Sequence, residues 1–316
     1  MNTKRLVSAV AISACLAATG CAPEIGPNGI PVVEDGPLQC GRIAAAIHTV
    51  QGNQAMSPVV GEIVEVEARV SAKFIDGLGG FYLMADRGSE DQDPASSEGI
   101  FVRHAEPLEW PVGSLVRVRA TVAELGPAPD TQTALIEVGA LVQCGKPVPM
   151  QARPVAAAGS DPAGWERYEG ERISVAGPVS LVGNEDLLRH GSLIVSFDGR
   201  DFAPTERHIP GQDALALAAA NAASQLVLDD ARLDEFPKKL WHLPAPLTPE
   251  ATYRVDSEVR GIDGVLEQRE GEYRLQLIAP IASVTHAPRP AKPPEVDGDL
   301  RVASFNVLNY FNGDGA

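Results

Sequence analysis

Along the middle of the chain, apolar residues recur at every second position behind a glycine. Gly61 is followed by Val64, Val66, Ala68 and Val70, and Gly113 by Val116, Val118, Ala120 and Val122. Gly170 is followed by Ile173, Val175, Gly177 and Val179. A period of two marks a strand with one buried face, and the glycine ahead of it supplies a turn. Asp256 to Val265 is a weaker fourth copy that keeps Val259, Gly261 and Val265. The spacing exceeds that of one hairpin, so the copies mark long strands recurring within larger units.

Between the first two copies lie two strand-like runs, GGFYLMA (Gly79 to Ala85) and SEGIFVRH (Ser97 to His104). After the second comes TALIEVGALVQC (Thr133 to Cys144). Five strands with few helical signals over 40–150 predict a small closed barrel of the oligonucleotide/oligosaccharide-binding (OB) form. A small sandwich is the alternative. A second β-rich module is expected over 151–286. It opens with WERYEGERISVAGPV (Trp165 to Val179), then changes period at an Ala- and Leu-rich stretch from Asp213 to Ser224. That stretch predicts one helix, with Asp213 as its N-cap. A Pro-rich linker (287–299) leads to a last apolar run, Leu300 to Phe311, which reads as the first strand of another domain (300–316). The fold class expected is therefore mostly β.

Charge narrows the partners. Lys and Arg total 26 against 42 Asp and Glu, a net charge of -16 over 316 residues. So acidic a chain opposes tight non-specific binding to a phosphate backbone, which depends on cations displacing counterions. The 30 Gly and 26 Pro favour short strands and tight turns over helical bundles. At the N-terminus, Lys4 and Arg5 precede an apolar stretch from Leu6 to Ala18 that is too short to span a bilayer, the form of a signal peptide (1–20). LAATGC resembles a bacterial lipobox, which implies acylation of Cys21; an ordinary secretory signal is the other reading. Ala22 after that cysteine fits an outer-membrane lipoprotein, and the Pro- and Gly-rich 21–39 a flexible tether. Cys15 leaves with the signal. Cys40 and Cys144 remain, flanking the barrel of an exported chain, and a disulfide is the simple reading. Closing so long a loop stabilises by about 4–5 kcal/mol at most in the chain-entropy model.

Candidate chemistry is sparse. Glu90, Asp91, Asp93 and Glu98 crowd one loop, either as oxygen ligands for calcium or as a solvated acidic turn. Phe81, Tyr82 and Phe101 fall on barrel strands, where aromatics either stack bases or fill the core; nearby cations are few. His48, His104, His190, His208, His242 and His286 show no HExxH or other ligand spacing, and no GxSxG elbow is present. These residues alone predict no metal site.

The words RVASFNVLNYF (Arg301 to Phe311) resemble the first strand of the endonuclease/exonuclease/phosphatase superfamily, in the form of ExeM/NucH-like extracellular nucleases. IHTVQG (Ile47 to Gly52), GLGGFYL and SEGIFV resemble the barrel module preceding the nuclease domain in that family. FAPTERHIPG, ALAAAN and VLDD resemble the segment between barrel and nuclease domain. The resemblance implies hydrolysis of DNA or RNA with Mg²⁺ or another divalent cation in the full-length family. It implies that Asn306 helps position the metal and the scissile phosphate, and that the remaining catalytic groups lie beyond residue 316. One Asn cannot supply a metal site, a nucleophile and leaving-group stabilisation together. The chain is thus expected to be a truncated, non-catalytic accessory region without a cofactor of its own, anchored to the outer membrane and touching DNA or RNA weakly if at all. Two alternatives remain: a complete surface lipoprotein binding oligonucleotide or oligosaccharide through its barrel, and a docking module for a separately encoded nuclease domain.

Overall fold

The structure, a computed structural model, describes residues 24–304 except 87, 92, 157–163, 250 and 293–294. A short helix, α1 (Ile47–Gln51), leads into β1 (Ile63–Phe74), the one-turn α2 (Ile75–Leu78), β2 (Gly80–Met84), β3 (Gly99–Arg103), β4 (Leu115–Leu125) and β5 (Gln132–Gly145). These strands close into a barrel of order β1-β2-β3-β5-β4, with β3 and β5 parallel and the other neighbours antiparallel. This is the five-stranded Greek-key barrel that the alternation predicts. Val64, Val66, Ala68 and Val70 of β1 meet Val116, Val118, Ala120 and Val122 of β4 inside it, with Phe81, Leu83, Ile100, Val102 and Leu135. Gly61, Gly113 and Gly170 all have φ between +73° and +89°, a conformation that L side chains resist. Cys40 and Cys144 form a disulfide, Cα–Cα 5.3 Å, tying the approach to the barrel to the end of β5.

The second module comprises β6 (Arg153–Pro154), β7 (Arg172–Val175), β8 (Val179–Gly183), α3 (Leu187–His190), β9 (Leu193–Ser196), α4 (Pro204–Arg207), α5 (Gln212–Ser224), β10 (Gln225–Asp229), β11 (Glu258–Arg260), β12 (Ile262–Arg269), β13 (Glu272–Leu277) and β14 (Ser283–Thr285). Its strands form one nine-stranded sheet, β14-β11-β8-β9-β10-β13-β12-β7-β6. Copies three and four of the repeat are each cut in two. Gly177 (φ +77°) separates β7 from β8, and Gly261 (φ +68°) separates β11 from β12. The two breaks face each other: the Gly261 N–H donates to the Ala176 carbonyl at 3.2 Å.

Three expectations change. Helix α5 starts at Gln212, behind Gly211, with no side chain capping it; Asp213 lies in its first turn, where its charge favours the helix dipole. The α3 and α4 turns accompany α5, so the module holds more than one helix. Leu300 to Ser304 carries no strand, and Leu300 and Val302 are 81% and 86% exposed; among the described residues no strand pairs with this stretch. Cys21, Asn306 and the remainder of the last apolar run lie outside the described residues. No helix among the described residues is long and apolar enough to cross a membrane.

Candidate functional site

Every residue of β2 is buried, as are Gly99 to Val102 of β3. A strand in a barrel has one face inward, so burial of both faces requires a second cover. Phe81 and Leu83 point into the barrel, whereas Tyr82 and Phe101 lie outside it, in a cluster with Ala72, Ala134 and Val265 of β12. Their rings sit 4.9 Å apart, and Gln132 Nε2 donates to the Tyr82 hydroxyl at 3.0 Å. On OB barrels the outer face of the second and third strands is where nucleic acid or sugar binds. In this chain the nine-stranded module occupies it. Tyr82 and Phe101 are packed, not free for stacking. Alternation alone left that choice open; the unbroken apolar run GFYLM is the signal that resolves it.

Backbone contacts hold the seam closed. Ser97 Oγ donates to the Glu169 carbonyl at 2.5 Å, the Glu98 N–H to Glu171 Oε1 at 2.9 Å, and the Thr133 N–H to Glu169 Oε1 at 2.9 Å. A Cβ on Gly99 would fall 2.1 Å from the carbonyl carbon of Gly170. Arg153 Nε pairs with Glu171 Oε2 at 2.7 Å. Burial still pushes the Glu171 carboxyl up to about 7, with Arg153 acting against it. Glu169 is raised strongly by burial and by the neighbouring Glu166.

One cleft of about 640 Å³ opens where the barrel's first loop meets the second module. Ser71 to Gly77 forms one wall, and Asp230, Ala231, Arg232 and Trp241 another. The walls meet closely at Gly77: a Cβ there would lie 1.8 Å from the Ala231 carbonyl oxygen. Ala231 itself has φ +61°. The cleft's cations are already engaged. Lys73 donates to the Leu108 and Trp110 carbonyls at 3.1 Å each. Arg172 forks onto Asp263 at 3.0 and 2.6 Å, and Arg232 onto Asp234 at 2.7 and 3.1 Å. Asp230, pushed up to about 6 by burial and then by Asp229, adds negative charge once ionised. A polyphosphate gains little in such a cleft, since each cation would have to leave a partner.

Two groups of ligating side chains come together among the described residues. In one, Glu67 joins Cys40 and Cys144, whose sulfurs are spent in the disulfide. In the other, Asp91 and Glu98 of the acidic loop meet His48 of α1; Glu90 and Asp93 are not part of it. His48 Nδ1 lies 2.9 Å from Glu98 Oε1 and 3.9 Å from Asp91 Oδ2. Sequence spacing missed His48 because its partners sit two loops further along the chain. Comparison with protein-family models finds no match, and comparison with curated proteins finds none.

Proposed function

We propose that the two modules are the non-catalytic scaffold of an exported, metal-dependent nuclease. In this reading they are held to the outer membrane through Cys21 and present a nuclease domain beyond the 287–299 linker. The reading rests on the resemblance of the SFNVLN stretch and of the barrel words. One observation favours a scaffold over an oligonucleotide-reading barrel: the face carrying Tyr82 and Phe101 is sealed by Val265 and its neighbours. A barrel that reads nucleic acid needs that face open. The net charge of -16 and the satisfied cations of the cleft act in the same direction.

Fluorescence anisotropy with single-stranded DNA tests the scaffold reading. The chain is expected to bind more weakly than about 10 μM at physiological salt, within the range of non-specific binding. Micromolar or tighter affinity in a salt titration would overturn it. Incubation with DNA and RNA in Mg²⁺, Mn²⁺ or Ca²⁺ is expected to leave both intact. Cleavage abolished by a point substitution within residues 24–304 would overturn the non-catalytic assignment.

A further inference from the structure

We propose that His48, Asp91 and Glu98 form a site for one divalent transition-metal ion, with zinc as the best-fitting occupant. The three side chains come from two separate places in the chain, α1 and the β2–β3 connection. Glu98 is the anchor. It is 2% exposed and turns its carboxylate into the group, with Oε1 taking the Asp91 N–H at 2.8 Å and facing His48 Nδ1. Its second oxygen, Oε2, is buried and has no hydrogen-bond partner among the described residues. A buried carboxylate oxygen left without a partner is costly. An ion that meets Oε1 on the side of Oε2 is shared by both oxygens, as in bidentate carboxylate ligands.

The spacing suits a small ion. Zinc at about 2.0–2.2 Å from nitrogen and carboxylate oxygen sets tetrahedral ligands roughly 3.3 Å apart. The observed separations of 2.9 and 3.9 Å bracket that figure. One imidazole with two carboxylates is a mixed N/O donor set, which calcium, an all-oxygen ion of higher coordination number, does not favour. Coordination requires Nδ1 to offer its lone pair, with the ring proton on Nε2; water completes the fourth position. The Glu98 N–H is bonded to the carboxylate of Glu171, whose charge Arg153 already pairs, so that bond fixes Glu98 in place. An ion here would join the acidic loop to the seam beside it.

The full chain, purified without added histidines, with its disulfide intact and stripped by chelator, is titrated with zinc chloride by calorimetry. The melting temperature is followed in parallel. Saturable uptake at this site with a rise in melting temperature is expected, together with weaker binding of calcium and magnesium. His48→Ala removes a ligand at the rim and is expected to weaken that uptake by about tenfold or more, at least the loss an outer-shell partner causes. Asp91→Asn provides an independent second variant. Zinc affinity unchanged in both variants, absence of uptake by the parent chain, or tighter binding of calcium than of zinc would each overturn the proposal. None of these outcomes bears on nuclease activity or DNA affinity, so this site and the scaffold reading fail separately.

Discussion

Gly99 and Gly77 act through what they lack. A methyl group on Gly99 would collide with the Gly170 backbone across the seam, and one on Gly77 with the Ala231 carbonyl. Neither neighbour is the end of a flexible side chain, so the modules themselves would have to part. Gly99→Ala and Gly77→Ala are each expected to cost about 2 kcal/mol or more, read as a lower urea midpoint. Gly139→Ala, on an open stretch of β5 with only the Arg119 carbonyl at 3.9 Å, is the control. It is expected to be neutral or slightly stabilising, because alanine loses less chain entropy than glycine in a strand. Equal losses at all three positions would show that the seam is not where the penalty arises. Tyr82→Ala removes a fully buried ring from the same seam and is expected to cost about 3–5 kcal/mol.

Elements that one buried face defines were readable from the chain. β1 and β4 alternate over most of their length, with valine and alanine inward and mostly polar residues outward; the exceptions are the end of β1 at Ser71 and Arg117 of β4, which is buried through its pairing with Glu65 and Glu67. The breaks at Gly177 and Gly261 were not readable. A small residue fits a period-two pattern as well as it fits a corner, and only a neighbouring chain decides which. Of the candidate site residues, Cys40 and Cys144 were legible because the reading of the N-terminus as a signal leaves these two cysteines only each other as partners. His48 was not, since its ligand partners arrive through the fold. The disulfide gives the expectation at this scale. Cys40→Ser with Cys144→Ser lifts the constraint on a long loop and is expected to lower stability by up to about 4–5 kcal/mol. A double-Ser chain with an unshifted urea midpoint would show that the bridge constrains nothing the barrel does not already hold.

Across the whole molecule, buried acids give the seam a pH dependence of definite sign. Burial raises the folded-state pKa of Glu171 from 4.5 to about 7 and that of Asp230 from 3.8 to about 6. The folded chain therefore binds these protons more tightly than the unfolded chain does. Their contribution is fully present below the unfolded values and is lost as pH rises through about 6 and 7. His242, buried and lowered from 6.5 to about 4, behaves oppositely; its contribution is intact above 6.5 and fades as pH falls through about 4. Between pH 8 and pH 6 the carboxyls decide. The urea midpoint is expected to be higher at pH 6, with much of the difference removed by Glu171→Gln, which keeps an acceptor for the Glu98 N–H. A parent midpoint that is flat or climbs toward pH 8 would show that these acids are not protonated in the folded chain. Deleting the residues after 294 is expected to leave the thermal transition where it is, since Leu300 to Ser304 makes no strand contact.

The sealed aromatic face also sets an order of events during synthesis. Tyr82 and Phe101 emerge with the barrel, but Val265 and Ile278, against which they pack, are made far later. Until then a newly closed barrel carries a bare aromatic strip on its outer wall. Such surface is what holding chaperones bind and what drives neighbouring nascent chains to clump. The vulnerable interval is the passage between those two stretches of chain. A premature stop within it would leave a compact, disulfide-closed barrel that is sticky on one side.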